Sequence, residues 1–238
     1  MIVLSLGMPR AGSGWHYNLI HDLVVASGGQ DARLIRRRYL LSLILTEVNC
    51  NIGALTAKRL LPVLLPSLLG NTFAIKAHAG PTPLALRLIR VGRIRATYIY
   101  RDPRAALLSA FEYGQRGASG FSHLATFEDA LRFMDEYVRI WDAWTVVPQV
   151  LSARYEDLFS DYAAEIARLL SFLDVDAQDP SIQAVVEKYG PGQAAQGDKG
   201  LHFFKGQPER FRTALAPEQL AACNRLFAPY LERMGYTL

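Results

Sequence analysis

The chain has 238 residues, half of them hydrophobic and a fifth charged, which excludes a disordered or low-complexity protein. At this length it buries roughly 70 to 75% of its extended-chain surface, so neither disulfides nor metals are needed for stability. A net charge of +4 and a pI near 9.1 point to an anionic partner. Nucleic acid is not the expected one, because zinc-finger spacing, an RNP-like aromatic pattern and a basic tail are all missing.

In chain order, IVLSL (2–6) reads as a strand. It is too short for a secretory leader and lacks a basic flank and a cleavage site, so the expected compartment is cytoplasmic. GMPRAGSGWH (7–16) follows, leading into the helical pattern GSGWHYNLIHDLVVA (12–26). The basic run RLIRRR (33–38) reads as a solvated helix face. Residues 39–69 read as helical, in two pieces split near Asn51 to Gly53. Glu47, Asn49, Asn51, Lys58, Arg59 and two prolines interrupt this apolar stretch, which stays short of the ~18 residues of a membrane span. It leaves room for peripheral contact with a membrane or a greasy substrate.

TFAIKAH (72–78) reads as a strand, PLALRLIR (83–90) as a helix and RATYIYR (95–101) as a strand rich in β-branched and aromatic residues. A second basic run, RLIRVGRIR (87–95), again reads as solvated. DPRAALLSAFEYG (102–114) starts with Asp and Pro and ends in Gly, as a helix does. TFEDALRFMDEYVRIWDAW (126–144) opens with Thr126 and Asp129 at capping-box spacing. VVPQVLSARY (146–155) is a fourth strand, with a helix through EIARLLSFLD (165–174). After a glycine-rich passage from Gly190 to Gly206, PEQLAACNRLFAPYLERMG (217–235) closes the chain as a helix stopped by Gly235. Cys50 and Cys223 are too few for a disulfide framework or metal site and read as reduced thiols. With no repeat or linker visible, residues 1–238 are expected to form a single domain.

Strand and helix alternate at βαβ spacing, so the expected fold class is α/β, a P-loop-like parallel β-sheet flanked by helices on both faces. Ligands on such sheets sit at the carboxyl ends of the strands, where the loop after IVLSL falls. Gly12 and Gly14 bare consecutive N–H groups at a helix start, an anion nest with the helix dipole behind it, and Arg10 adds a cation. The lysine and hydroxyl of G-x-x-x-x-G-K-[ST] are not in place. In IKAH, Lys76 and His78 are two apart and share a strand face, a cation beside a proton acceptor. In YIYRDPRAALLSAFEYG, Arg101 ends a strand and Ser109 lies two turns into the next helix, where both can grip one phosphate. RYEDLFSDY carries Tyr155 at a strand-to-helix junction. Asp102, Glu156 and Asp157 read as caps and turn residues, and no carboxylate cluster resembles a magnesium site, so no metal is expected.

Taken in order, these four segments resemble the cytosolic-type sulfotransferase family, whose sulfuryl donor is 3′-phosphoadenosine-5′-phosphosulfate (PAPS). The family's 5′-phosphosulfate loop, P-K-S-G-T-T-W, is PRAGSGW (9–15) here; its K-x-H is Lys76-Ala77-His78. Its Arg with a Ser eight residues on is Arg101 and Ser109, and its Y-E-D-L is Tyr155 to Leu158. A late R-K-G is echoed as Lys205-Gly206, with Phe204 where Arg is usual. The resemblance implies that the amides of Ala11, Gly12, Ser13, Gly14 and Trp15, with Arg10 at the family's Lys position, hold the 5′-phosphate. It also implies that Trp15 stacks on adenine with Tyr155 at its edge. Arg101 and Ser109, with Lys205 and Gly206, would read the 3′-phosphate. His78 would deprotonate the acceptor hydroxyl while Lys76 steadies the sulfuryl oxygens, releasing adenosine 3′,5′-bisphosphate (PAP). Residues 33–70 and 112–125 are the expected acceptor region: its leucines suit a lipid or phenol, its arginines a saccharide. Two other readings share the loop, a divergent P-loop kinase and a non-catalytic nucleotide-binding module. The first needs an acidic magnesium ligand, and YIYRD supplies only Asp102; retention of Lys76 and His78 argues against the second.

Overall fold

The computed structural model describes residues 1–118, 120–190 and 209–238. Among them lies one four-stranded parallel sheet, built from β1 (Ile2–Gly7), β2 (Phe73–Ala77), β3 (Ile94–Tyr100) and β4 (Val150–Arg154) in the order β2-β1-β3-β4. Every residue of β1 and β2 is buried, as expected of near-continuous apolar strands in a parallel sheet covered on both sides. β1 runs to a helix α1 (Ser13–Ala26), and the chain reaches β2 on one side of it and later β3 on the other. That change of direction at the carboxyl end of β1 makes the crevice where open parallel sheets bind ligands.

The two faces are covered by different helices. Ser5 points to the face of α1, where its hydroxyl meets His16, and Arg95 on the same face donates to the carbonyls of Phe172 and Leu173 at the end of α8 (Tyr162–Leu173). On the opposite face Tyr100 packs against Trp141 of α6 (Phe127–Thr145). α6 opens with the expected capping box, Thr126 and Asp129 each bonding the other's backbone. α5 (Pro103–Gln115) starts as its Asp-Pro pair requires, with Asp102 accepting from the Arg104 N–H.

The region before β2 differs from the expectation. After α2 (Ala32–Arg38) there is only a 3₁₀ turn at Leu41–Leu43 before α3 (Ala57–Leu68); residues 44–56 are not helical. Of the two expected helical pieces, the second is α3, but the first is broken by backbone chemistry. Leu40 and Cys50 take positive φ, 55° and 43°, and the side chains of Arg33 and Arg36 donate to the Val48 and Leu45 carbonyls that a helix would have used. Cys50 and Ile52 instead bond the Lys76 backbone along the edge of β2. α4 (Pro83–Arg90) and α11 (Pro217–Leu231) follow the sequence, with α7 (Asp157–Ser160) a single turn. α9 (Pro180–Lys188) was not foreseen, although Asp179 before Pro180 is a start signal of the same kind as Asp102-Pro103. α10 is one turn, Phe211–Ala214. Both cysteines are buried and free.

Candidate active site

The loop between β1 and α1 is shaped by two residues with positive φ, Arg10 (64°) and Gly12 (76°). They turn the chain so that α1 begins at Ser13 with no side-chain cap and no acidic residue in its first turn. The first N–H groups of a helix have no partner within it. Those of a 14-residue helix therefore face the strand ends together with the positive end of its dipole. Gly12 is required for contact as well as for conformation: a Cβ there would lie 2.6 and 2.7 Å from the Tyr155 ring. The ring of the strand-to-helix junction thus packs on the loop.

Three cations converge beside that helix start. Arg10 donates from Nε to Ser109 Oγ at 3.1 Å, and its guanidinium lies 4.2 Å over the Tyr113 ring. Arg101, at the end of β3, lies 4.6 Å over Tyr155 with Nε 3.9 Å from Glu156 Oε1. Lys76 is buried in β2, opposite Ser5 in register. Burial lowers its ammonium to about 8, and the Arg10 charge adds to this; burial likewise lowers Arg10, with Arg101 repelling it. Glu156, beside Arg101, is pushed up by burial and accepts from Tyr236 Oη at 2.5 Å. A cation held this far below its ordinary range destabilises the fold by about 3 kcal/mol at neutral pH. A bound anion would offset that cost.

His78 sits just past the end of β2. Its Nδ1 donates to the Gly7 carbonyl at 2.6 Å, which leaves the lone pair on Nε2. Burial first, then the Lys76 charge, brings its pKa to about 3, against the opposing pull of the Gly7 carbonyl. The imidazole is therefore neutral at working pH. The ring meets the edge of Tyr137, which begins a row of rings through Phe133 and Phe121 to Tyr113 under Arg10.

The structure thus brings Arg10, Lys76, His78, Arg101, Ser109 and Tyr155 to one edge of the sheet. Trp15, in the first turn of α1, is only 5% exposed, its ring tilted against Phe159 and Tyr162; the adenine contact expected of it is a proposal. Lys205, Gly206 and Phe204 lie outside the described residues. Asp102 is a helix cap, as read, and also holds Arg104 at two points. Glu156 is a turn residue whose carboxylate additionally faces Arg101. One residue escaped the sequence reading: His16, buried on α1, bonded to Ser5 at 3.3 Å and brought to about 3 by burial and then by Lys76. An apolar helix pattern gives no sign that His16, rather than His21 on the same helix, lies beside a lysine 60 residues away.

Residues 72–235 match the family model described as the sulfotransferase domain. The chain belongs to the sulfotransferase family. Among solved structures, the mouse sulfotransferase SULT7A1 complexed with PAP superposes with a TM-score of 0.63 at 16% identity, covering 97% of this chain and 84% of that one. Retinol dehydratase, in complex with androsterone and inactive cofactor PAP, gives 0.58 at 17%, covering 100% and 82%. The sulfotransferase domain from the curacin biosynthetic pathway gives 0.51 at 15%, covering 100% and 98%. At these identities the likeness shows a shared fold. No curated protein sequence matches the chain. In this sulfotransferase the family match includes Lys76, His78, Arg101, Ser109 and Tyr155, whereas the Arg10 loop lies ahead of it.

Proposed function

We propose that this sulfotransferase transfers the sulfuryl group of PAPS to the hydroxyl of a small apolar acceptor, with His78 as the proton acceptor. The observation that carries this reading is the convergence of Arg10, Lys76 and Arg101 at the strand ends beside an uncapped helix start, with Lys76 and Arg10 lowered by burial. Such a cluster suits a ligand with several phosphate-like anions. PAPS supplies the sulfuryl group and a stable bisphosphate leaving group. The amides of residues 11–15 and Arg10 bind the 5′-phosphate side, and Arg101 and Ser109 bind the 3′-phosphate, with Tyr155 beside them. Lys76 stabilises charge on the oxygens in transit. His78 Nε2 takes the proton from the acceptor hydroxyl as its oxygen bonds to sulfur and the sulfur–oxygen bond to the 5′-phosphate breaks. Positioning and charge stabilisation suffice for such an in-line transfer.

Two observations favour an apolar acceptor over a saccharide. The row Tyr113, Phe121, Phe133 and Tyr137 leads from Arg10 to His78. Arg33 and Arg36 of the basic run are engaged by backbone carbonyls. The kinase reading loses support because its one candidate magnesium ligand, Asp102, is taken by Arg104 and the α5 N-terminus.

The test is thermal. PAP at 100 times its Kd stabilises a protein by about 2.7 kcal/mol, here a rise in Tm of roughly 5 to 10 °C at ~2–4 °C per kcal/mol. AMP and ATP are expected to give far smaller shifts. An equal shift with ATP would return the kinase reading, and none with PAP would remove the nucleotide assignment. A pH profile tests Lys76 separately. Because its ammonium loses its proton as pH rises through about 8, kcat/KM, which reports the free enzyme, should fall on the alkaline side near pH 8. His78, neutral above about 3, adds no acidic limb near neutrality. In Lys76→Arg the alkaline limb should move up; an unmoved limb would assign it to another group.

A further inference from the structure

Helix α3 is apolar on two sides. Leu60 and Val63 are buried, yet Leu61, Leu65, Leu68 and Leu69 are 53–63% exposed at the i, i+4, i+7, i+8 spacing of one stripe. The turn at residues 39–44 adjoins both ends of this helix: Tyr39 Oη accepts from Asn71 at 3.1 Å, and Arg59 donates to the Ile44 carbonyl at 3.2 Å. That turn presents Leu40 and Leu43, 87% and 94% exposed. Leu40 does so with φ 55°, a left-handed conformation leucine rarely adopts. An apolar surface of this kind, part of it held in a strained turn, marks an interaction site.

The charge around it selects the partner. Residues 32–71 contain six cations and a single carboxylate, Glu47. Arg33, Arg36 and Arg59 are spent on backbone carbonyls, while Arg37, Arg38 and Lys58 remain exposed. Leucines with a cationic rim match the boundary of a bilayer bearing anionic headgroups. A second copy of the chain fits less well, since a two-fold contact would bring the same cations together. Among the described residues no helix is long and apolar enough to cross a membrane, so the contact is with its surface.

We infer that the Leu40–Leu43 turn and the outer stripe of α3 dock on an anionic membrane surface. The segment leaving this surface bonds the Lys76 backbone through Cys50 and Ile52, so it connects the docking surface to the strand that carries Lys76. The inference rests on exposure and charge and not on the transfer reaction.

Vesicle flotation tests it, with phosphatidylcholine alone and with phosphatidylserine added. The protein should float with the anionic vesicles and less with the neutral ones. The pair Leu65→Glu and Leu69→Glu should lower partitioning by about tenfold or more, and Arg37→Glu with Arg38→Glu should remove the preference for phosphatidylserine. PAP binding should persist in both, showing that fold and nucleotide site are intact. Leu40→Asn provides a variant in which misfolding is not the explanation: asparagine tolerates the left-handed turn, so melting should hold or rise while partitioning falls. Failure to float with anionic vesicles at low salt would overturn the proposal. So would floating that the glutamate pair leaves unchanged, or a dimer in solution that this pair disperses.

Discussion

Replacing His78 by alanine is expected to lower turnover by at least about 100-fold, since a positioned base is typically worth about 10² to 10⁴ in rate. Affinity for PAP should change little. The ring touches the Gly7 carbonyl and Tyr137, whereas the nucleotide contacts proposed above fall to Arg10, Arg101, Ser109 and the amides of residues 11–15. Asparagine can keep the bond to Gly7 but cannot take a proton, so it should be almost as slow. If His78 only tied the end of β2 to β1, the alanine variant would melt lower and PAP binding would follow stability. Melting temperature, PAP affinity and turnover on one preparation separate the two. A variant that folds, binds PAP and turns over within about tenfold of the parent rules His78 out as the base.

Gly12→Ala should damage the fold and the nucleotide site together. The position has φ 76°, where an L side chain costs about 1–2 kcal/mol, and the new Cβ would overlap the Tyr155 ring, at about 1–3 kcal/mol for overpacking. The sum, about 3 kcal/mol, corresponds to a fall in Tm of roughly 6 to 12 °C. Because Tyr155 also lies under Arg101, PAP affinity should fall by more than tenfold. Gly28→Ala is the control: φ is 88° but nothing lies within 4 Å of the added atom, so only the conformational cost remains. Equal losses in the two variants would mean that the Gly12–Tyr155 contact carries no weight.

Most of the sheet was legible because each strand is a short apolar run followed by a turn and a helix, and both signals are local. Thr126 and Asp129 make the bonds their spacing implies, and Asp102-Pro103 starts α5 where it should. The error at residues 39–56 has an equally plain cause. Leucine content suggested helices, but the carbonyls there are satisfied by Arg33, Arg36 and Arg59, whose positions in the chain do not reveal their targets.

For the site, sequence alone determined which groups sit at strand ends: Arg10 after β1, Lys76 and His78 at the end of β2, Arg101 at the end of β3. Strand alternation and glycine punctuation are properties of neighbouring residues, so they can be read along one chain. Only the tertiary structure decided what those groups do to one another. The Arg10–Ser109 bond, Tyr155 against Gly12, the tautomer of His78 set by Gly7, and His16 buried near Lys76 all join residues from different strands or helices. Charge repulsion and desolvation depend on distance and burial, and these exist only once the parallel sheet has closed around β1.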